Sequence, residues 1–329
     1  MNTTEKYSSL ENRIDVSDIQ FKVTAIKQEL RKVIVGQDVV INQLVIALLS
    51  SGHSLIEGLP GVAKTMMAKL LAKTIDSGFS RIQFTPDLMP SDVTGTSVLN
   101  MQNNQFEFKR GPIFSNIVLI DEINRSPAKT QAALFECMSE NQITADGKTY
   151  QLDAPFLVFA TQNPIEQEGT YRLPEAQLDR FMFKINVNYP SLEDEILLLT
   201  EQQERKNVKK ENLVKAIIKG EEIIEFQERI KSIFVHQDIL NFIATLVYQT
   251  RTDKNLYIGA SPRASIAILD ASKALAAIEG RDFVIPEDVK NVAFPILGHR
   301  VVLVPEKEME GYSTHTIIKQ IIDRVEIPR

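Results

Sequence analysis

The stretch Glu57-Gly58-Leu59-Pro60-Gly61-Val62-Ala63-Lys64-Thr65 has the backbone and side chains needed to grip phosphate. It follows a short apolar strand, Ser54-Leu55-Ile56, and opens a helix expected over 65–73. Backbone N–H groups converge at such a turn, and the helix dipole adds partial positive charge. Lys64 adds a full charge aimed at phosphate oxygens, and Thr65 puts a hydroxyl where a Mg²⁺ ion would sit. Gly58 and Gly61 permit the turn and a close backbone approach. The strict pattern has glycine immediately before the lysine, where this chain has Ala63. That matters if φ must be positive there.

Ile117-Val118-Leu119-Ile120-Asp121-Glu122 supplies a second set of groups. Four apolar residues in a row suggest a strand buried on both faces, as in a parallel sheet. Two carboxylates at its C-terminal end sit where ligands bind in open α/β sheets. Asp121 can hold Mg²⁺ through water. Glu122 can orient and polarise an attacking water for in-line displacement at a γ-phosphate. The alternative is a pair of acids capping the next helix. Asn163, in Thr161-Gln162-Asn163-Pro164 after the buried strand 156–160, either reaches the γ-phosphate or simply starts the turn before Pro164. Arg180 either pairs with Asp179 at the surface or stabilises transition-state charge in a neighbouring subunit. An arginine supplied in trans raises phosphoryl transfer by roughly 10³–10⁵.

Arg263 follows Ser261, an expected N-cap, and Pro262, an expected first helical residue. The helix dipole disfavours a cation there, so either an anion faces it or it is solvated. Upstream, Val33-Ile34-Val35-Gly36-Gln37 could pack on an adenine ring; alternatively Ile34 and Val35 are plain core.

Elements must position these groups. Apolar spacing predicts helices from 17 to 33 and from 38 to 51. Strands are expected at 81–84, 117–120, 156–160 and 183–187. A helix is expected over 127–139. Two hairpins stand out. One lies in 94–114 around Gln102-Asn103-Asn104-Gln105, and one in 142–152 around Asp146-Gly147. After Tyr189-Pro190-Ser191 strand-like runs stop. Helices are then expected near 191–206, 221–233, 237–251, 262–279 and 286–294, with a possible short helix over 314–324. The boundaries expected are 1–190 for an α/β core and 191–329 for a helical domain.

The chain has 329 residues, 43% of them hydrophobic and 24% charged, which suits about two soluble domains. A net charge of −6 argues against a protein that mainly coats nucleic acid. The single cysteine, Cys137, excludes an internal disulfide framework. His53, His236, His299 and His315 lack metal-ligand spacing. The first residues lack the apolar core of a signal peptide, and no apolar run would span a bilayer, so a cytoplasmic protein is expected.

The motif order strongly resembles the AAA+ ATPases and, within them, the MoxR group, which is related to the magnesium-chelatase I subunits. The resemblance runs from about Val33 to the last helices. Its telling stretches are Val35-Gly36-Gln37, the 57–65 loop, Gly111-Pro112-Ile113-Phe114, Ile120-Asp121-Glu122-Ile123-Asn124-Arg125, Ala160-Thr161-Gln162-Asn163-Pro164, Glu175-Ala176-Gln177-Leu178-Asp179-Arg180-Phe181 and Gly259-Ala260-Ser261-Pro262-Arg263. The two hairpins resemble the insertions that mark this branch.

The resemblance implies a P-loop core with a central parallel sheet and helices on both faces, followed by a smaller all-helical lid. Lys64 and Thr65 match the Walker A positions, with Gly58, Pro60, Gly61, Val62 and Ala63 in the same loop. Asp121 and Glu122 match Walker B, with Glu122 as the base. Asn163 matches sensor 1, Arg180 the arginine finger and Arg263 sensor 2. Gly36 and Gln37 fall where the adenine pocket usually lies. ATP and Mg²⁺ are the implied cofactors, bound between the core and the lid. A ring, commonly a hexamer, is implied, with ATP between subunits. The implied work is that of a chaperone maturing a client protein, including metal-cofactor insertion, on partners that often carry a von Willebrand factor A domain. Two other functions stay open: a nucleic-acid motor or loader, which net charge argues against, and a non-hydrolysing nucleotide-gated scaffold, which an intact Glu122 and Arg180 argue against. A kinase finds no acceptor site here.

Overall fold

The computed structural model describes residues 13–102, 104–145, 147–163, 171, 173–204 and 209–328. Five parallel strands form the central sheet in the order β2-β5-β8-β1-β9. They are β1 Ser54–Gly58, β2 Phe79–Gln83, β5 Ile117–Asp121, β8 Leu157–Gln162 and β9 Phe183–Val187. Every residue of β5 is buried, which is why it reads as a continuous apolar run. Register brings Ile120 beside Ala160 on β8 and Gln83 beside Asp121. On the other flank Ile56 pairs with Thr161, and Gly58 with Val187.

The chain leaves β1 for the distant edge strand β2, while β9 lies on the opposite side of β1. The loop after β1 therefore opens at the point where the connections diverge, the usual ligand position in such sheets. Helices Asp38–Leu49 and Lys64–Thr74 pack on the sheet. One core layer joins Leu55, Val118, Ile120, Val158 and Ala160 to Leu134, Phe135 and Met138 of helix Ala128–Glu140. Burying each such side chain contributes roughly 1.5–3 kcal/mol.

Both expected hairpins are present. Strands β3 Gly95–Asn100 and β4 Gln105–Arg110 pair antiparallel, as do β6 Gln142–Ala145 and β7 Lys148–Gln151. Phe108 of one hairpin stacks on Tyr150 of the other, with ring centroids 4.2 Å apart. Asn103 and Asp146 of the expected turns lie outside the described residues, as does Pro164.

Packing divides the chain into two units. Ile26–Ile224 form one, and Glu225–Arg329 with the chain up to Ala25 form the other. This division and the composition shift after Pro190 do not coincide, because 191–204, with helix Leu192–Glu204, and 209–224 stay with the sheet unit. Lys69 Nζ meets Glu211 Oε1 at 2.7 Å, and the N–H groups of Ile217 and Ile218 donate to Thr74 O at 2.8 and 3.2 Å.

The second unit is mostly helical: Gln237–Thr252, Pro262–Ile278, Pro286–Leu297 and Thr314–Arg324 are its main elements. The third runs past its expected end at 294, with Pro295 inside it. A two-stranded pair, β10 Leu256–Ile258 with β11 Val302–Leu303, was not foreseen; at two or three residues such strands leave no periodicity to read. Arg281 grips Asp288 bidentately at 2.8 and 2.6 Å, and Asp288 also accepts the Ile285 N–H at 2.9 Å. That carboxylate is buried, and the fork geometry keeps its charge compensated.

Candidate functional site

The loop between β1 and helix Lys64–Thr74 has the strand–turn–helix context expected of it. A Cβ at Gly58 would meet Val187 O at 2.6 Å, so the close pairing of β1 with β9 requires glycine there. Gly61 has φ +87, and nothing lies within 4 Å of the position its Cβ would take. The loop is thus unobstructed at Gly61, which also lines the adjoining cleft. Ala63, at the helix N-cap, has φ 62 and ψ 22. This is the left-handed conformation that glycine would adopt freely and alanine adopts only against strain.

Lys64 Nζ donates to Gly58 O and lies 3.5 Å from Gln162 O, so its charge is held across the loop near the end of β8. Thr65 Oγ1 is 3.4 Å from Asp121 Oδ1 and 3.5 Å from Oδ2. Helix and strand thereby present a hydroxyl and a carboxylate to one point. Asp121 Oδ1 also accepts from Thr161 Oγ1 at 3.1 Å, and Thr161 Oγ1 accepts the Glu122 N–H at 3.0 Å. Arg81 Nε pairs with Asp121 Oδ2 at 2.6 Å.

Glu122 has φ 58 and ψ 54, again left-handed. Other non-glycine residues with positive φ include Ser51, Asp76, Asn104 and Asn141, short polar types that tolerate it in turns. Ala63 and Glu122 have no such excuse, and both sit at this edge of the sheet. Backbone strain of about 1–3 kcal/mol at such positions is characteristic of functional sites. The Glu122 carboxylate accepts from Gln83 Nε2 at 2.9 Å and pairs with Arg125 Nε at 2.9 Å.

A cleft of about 680 Å³ lies against the loop, lined by Gly61, Lys64, Thr65, Lys69, Arg81 and Glu211 among others. Gly36 and Gln37 lie near the end of β9, whose Val187 pairs with Gly58. Gly36 packs against the Asp194 carboxylate, and Gln37 Nε2 donates to Asn188 O at 3.0 Å. Of the two residues the plain-core alternative names, Ile34 is buried and Val35 only half-buried. Asn163 is buried directly after β8. Arg180 NH1 donates to Phe135 O at 2.9 Å and to Ser139 Oγ, both on helix Ala128–Glu140. Arg263 belongs to the other unit, in the first turn of helix Pro262–Ile278, where Ser261 Oγ accepts its N–H at 3.2 Å.

The structure therefore brings Lys64, Thr65, Asp121, Glu122 and Asn163 to one sheet edge. Sequence reasoning gave no role to Arg81, Gln83, Thr161 or Arg125, which tie the two carboxylates down. Thr161 directly follows the strand expected at 156–160, but nothing in the sequence places that strand beside Asp121. Arg81 and Gln83 alternate on a strand whose partner was not known.

A divalent cation fits Thr65 and Asp121. Mg²⁺ typically takes only one or two carboxylates and draws its remaining ligands from water and phosphate. Among the described residues no cluster of three or more His, Cys, Asp or Glu could hold a metal by itself. Nor, among those residues, is any helix long and apolar enough to cross a membrane.

Comparison with known proteins agrees with this geometry. Residues 53–183 match the ATPase family associated with various cellular activities (AAA), and 248–321 match the AAA lid domain. The chain is 45% identical over 302 residues to a Bacillus subtilis protein, YeaC, covering 92% of this chain and 93% of that one. It is 42% identical over 310 residues to a Mycobacterium tuberculosis protein named Chaperone MoxR1, covering 92% and 81%. A crystal structure from Cytophaga hutchinsonii superposes with a TM-score of 0.88 at 44% identity, covering 99% of both chains.

Proposed function

The chain belongs to the MoxR-type AAA ATPases, and from that premise we propose that it binds ATP with Mg²⁺ at the loop after β1, hydrolyses it, and works as a ring-forming chaperone on a partner protein. The observation that carries this reading is the convergence of Lys64, Thr65, Asp121 and Glu122 at one edge of the sheet. Lys64 and the N–H groups of the loop hold the phosphates. Thr65 and Asp121 hold the cation, whose contribution is to neutralise charge on the phosphate oxygens. Glu122 takes the role of base, orienting water toward the γ-phosphate; its backbone is pinned by Thr161 and its carboxylate by Gln83 and Arg125. Asn163, buried beside this edge, senses the γ-phosphate or the attacking water.

Arg180 is assigned the arginine-finger role toward a neighbouring subunit. In this chain its guanidinium tip is engaged at home, NH1 donating to Phe135 O and Ser139 Oγ, so the finger role requires those bonds to be exchanged for the neighbour's nucleotide. Arg263 is assigned to sensing nucleotide from the lid region matched at 248–321. Gly36 and Gln37 are assigned to the adenine end through the resemblance alone. A hexameric ring, a client carrying a von Willebrand factor A domain, metal-cofactor insertion and a cytoplasmic setting complete the proposal. The name Chaperone MoxR1 on a relative supports the chaperone part.

The test compares binding of a fluorescent ATP analogue with phosphate release. Glu122→Gln is expected to retain nucleotide and lose turnover, while Lys64→Ala loses both. Turnover in Glu122→Gln equal to the parent protein's overturns the assignment.

A further inference from the structure

The Asp121 carboxylate, which faces Thr65, already has a positive partner in Arg81. Asp121 Oδ1 is bonded to Thr161, and Oδ2 to the Arg81 guanidinium at 2.6 Å. Both carboxylate oxygens also face Thr65 Oγ1, at 3.4 and 3.5 Å. Arg81, Lys64 and Thr65 line the same cleft. We propose that Arg81 is a resident counter-cation of Asp121, which competes with a divalent metal for this carboxylate and must leave when the metal binds. The inference rests on the reading of Thr65 and Asp121 as the metal-holding pair.

The burial of the two partners differs, and this makes an exchange workable. The Asp121 side chain is 8% exposed, whereas that of Arg81 is 54% exposed and sits on the edge strand β2. A buried carboxylate without a counter-charge is strongly disfavoured. An exposed guanidinium released into water is not. Exchange of Arg81 for a metal ion therefore keeps Asp121 compensated in both states. With Arg81 in place, a second cation on the same carboxylate would meet a fixed like charge at short range.

Arg81 also touches Gln83, its NH2 lying 3.4 Å from Gln83 Oε1, and Gln83 holds Glu122. Departure of Arg81 thus reaches the neighbouring acid as well. Arg81 is a positioning residue in this account, not one that touches substrate.

The experiment measures Mn²⁺ affinity by the loss of free-ion EPR signal, with ADP saturating and a protein-free ADP control. Arg81→Gln removes the charge and is expected to tighten Mn²⁺ roughly tenfold, since one charge-assisted bond is worth about that factor. Arg81→Lys restores a cation and should return affinity to near the parent value. Unchanged or weaker Mn²⁺ binding in Arg81→Gln overturns the inference while leaving the metal site intact. Mn²⁺ binding that persists in Asp121→Asn overturns the site reading, and the inference with it. Circular dichroism of each variant confirms that the fold is retained.

Discussion

Lowering the pH from 7 to 5 should destabilise the sheet unit through one side chain, His53. The residue precedes β1 and is buried. Its Nδ1 accepts the Val158 N–H at 3.0 Å, and its Nε2 lies 3.0 Å from Met138 O. Only the neutral ring with its proton on Nε2 serves both partners. Burial pushes its pKa down to about 4. The unfolded chain takes up a proton near pH 6.5, whereas the folded protein resists until about pH 4. His53 therefore contributes its full stability above about pH 6.5, and that contribution is lost as pH falls toward 4. At about 1.36 kcal/mol per pH unit the whole window is worth about 3 kcal/mol, of which about 2 kcal/mol goes between pH 7 and 5.

The assay is urea unfolding followed by far-UV circular dichroism, because the chain has no tryptophan. His53→Gln keeps a donor and an acceptor and removes the titration. It should start lower at pH 7 and lose about 2 kcal/mol less than the parent protein between pH 7 and 5. Carboxylates held below their usual range, such as Glu29 beside Lys32, and Asp253 with the Asn255 N–H and Arg324, act at lower pH, and Asp270, which burial raises, is common to both proteins and cancels in their comparison. Equal losses in both proteins between pH 7 and 5, or no loss in either, would refute the linkage.

Other outcomes follow from the same geometry. Ala63→Gly removes left-handed strain of about 1–2 kcal/mol and returns about 0.4–1 kcal/mol to the unfolded chain, so thermal unfolding should show a small net stabilisation with nucleotide binding kept. Thr161→Val leaves Asp121 and the Glu122 N–H each short of one bond; a loss of about 1–3 kcal/mol by urea unfolding is expected, together with reduced turnover. Burial holds the Cys137 thiol up to about 12, so iodoacetamide should label it only as fast as the protein opens, which mass spectrometry against a urea series will read.

Much of the site could be read directly from local patterns. The 57–65 loop shows its strand, turn and helix in nine consecutive residues, and 117–122 shows a buried strand ending in two acids. Both patterns are short-range, and short-range patterns survive in sequence. The partners of Asp121 are not short-range. Arg81 and Thr161 each lie 40 positions away, and Gln83 is 39 from Glu122. Only the order β2-β5-β8 makes them neighbours, and periodicity says nothing about strand order. The helical turn at Pro90–Thr94 and the strands β10 and β11 were too short to carry a period. The alanine at 63 is visible as a departure from pattern; its positive φ is imposed by the turn between β1 and the helix and cannot be read from residue type.

The measurement that bears most directly on the account is phosphate release per subunit against protein concentration, for the parent protein, Glu122→Gln, Arg180→Ala and an equal mixture of the two variants. Shared sites predict specific activity that rises with concentration, a loss of roughly 10³-fold or more in Arg180→Ala, and partial recovery in the mixture, where one subunit's Glu122 meets another's Arg180. Activity that is flat with concentration, with Arg180→Ala unimpaired, would contradict it: hydrolysis would then belong to the single chain, and Arg180 would serve only to tie the turn before β9 to helix Ala128–Glu140.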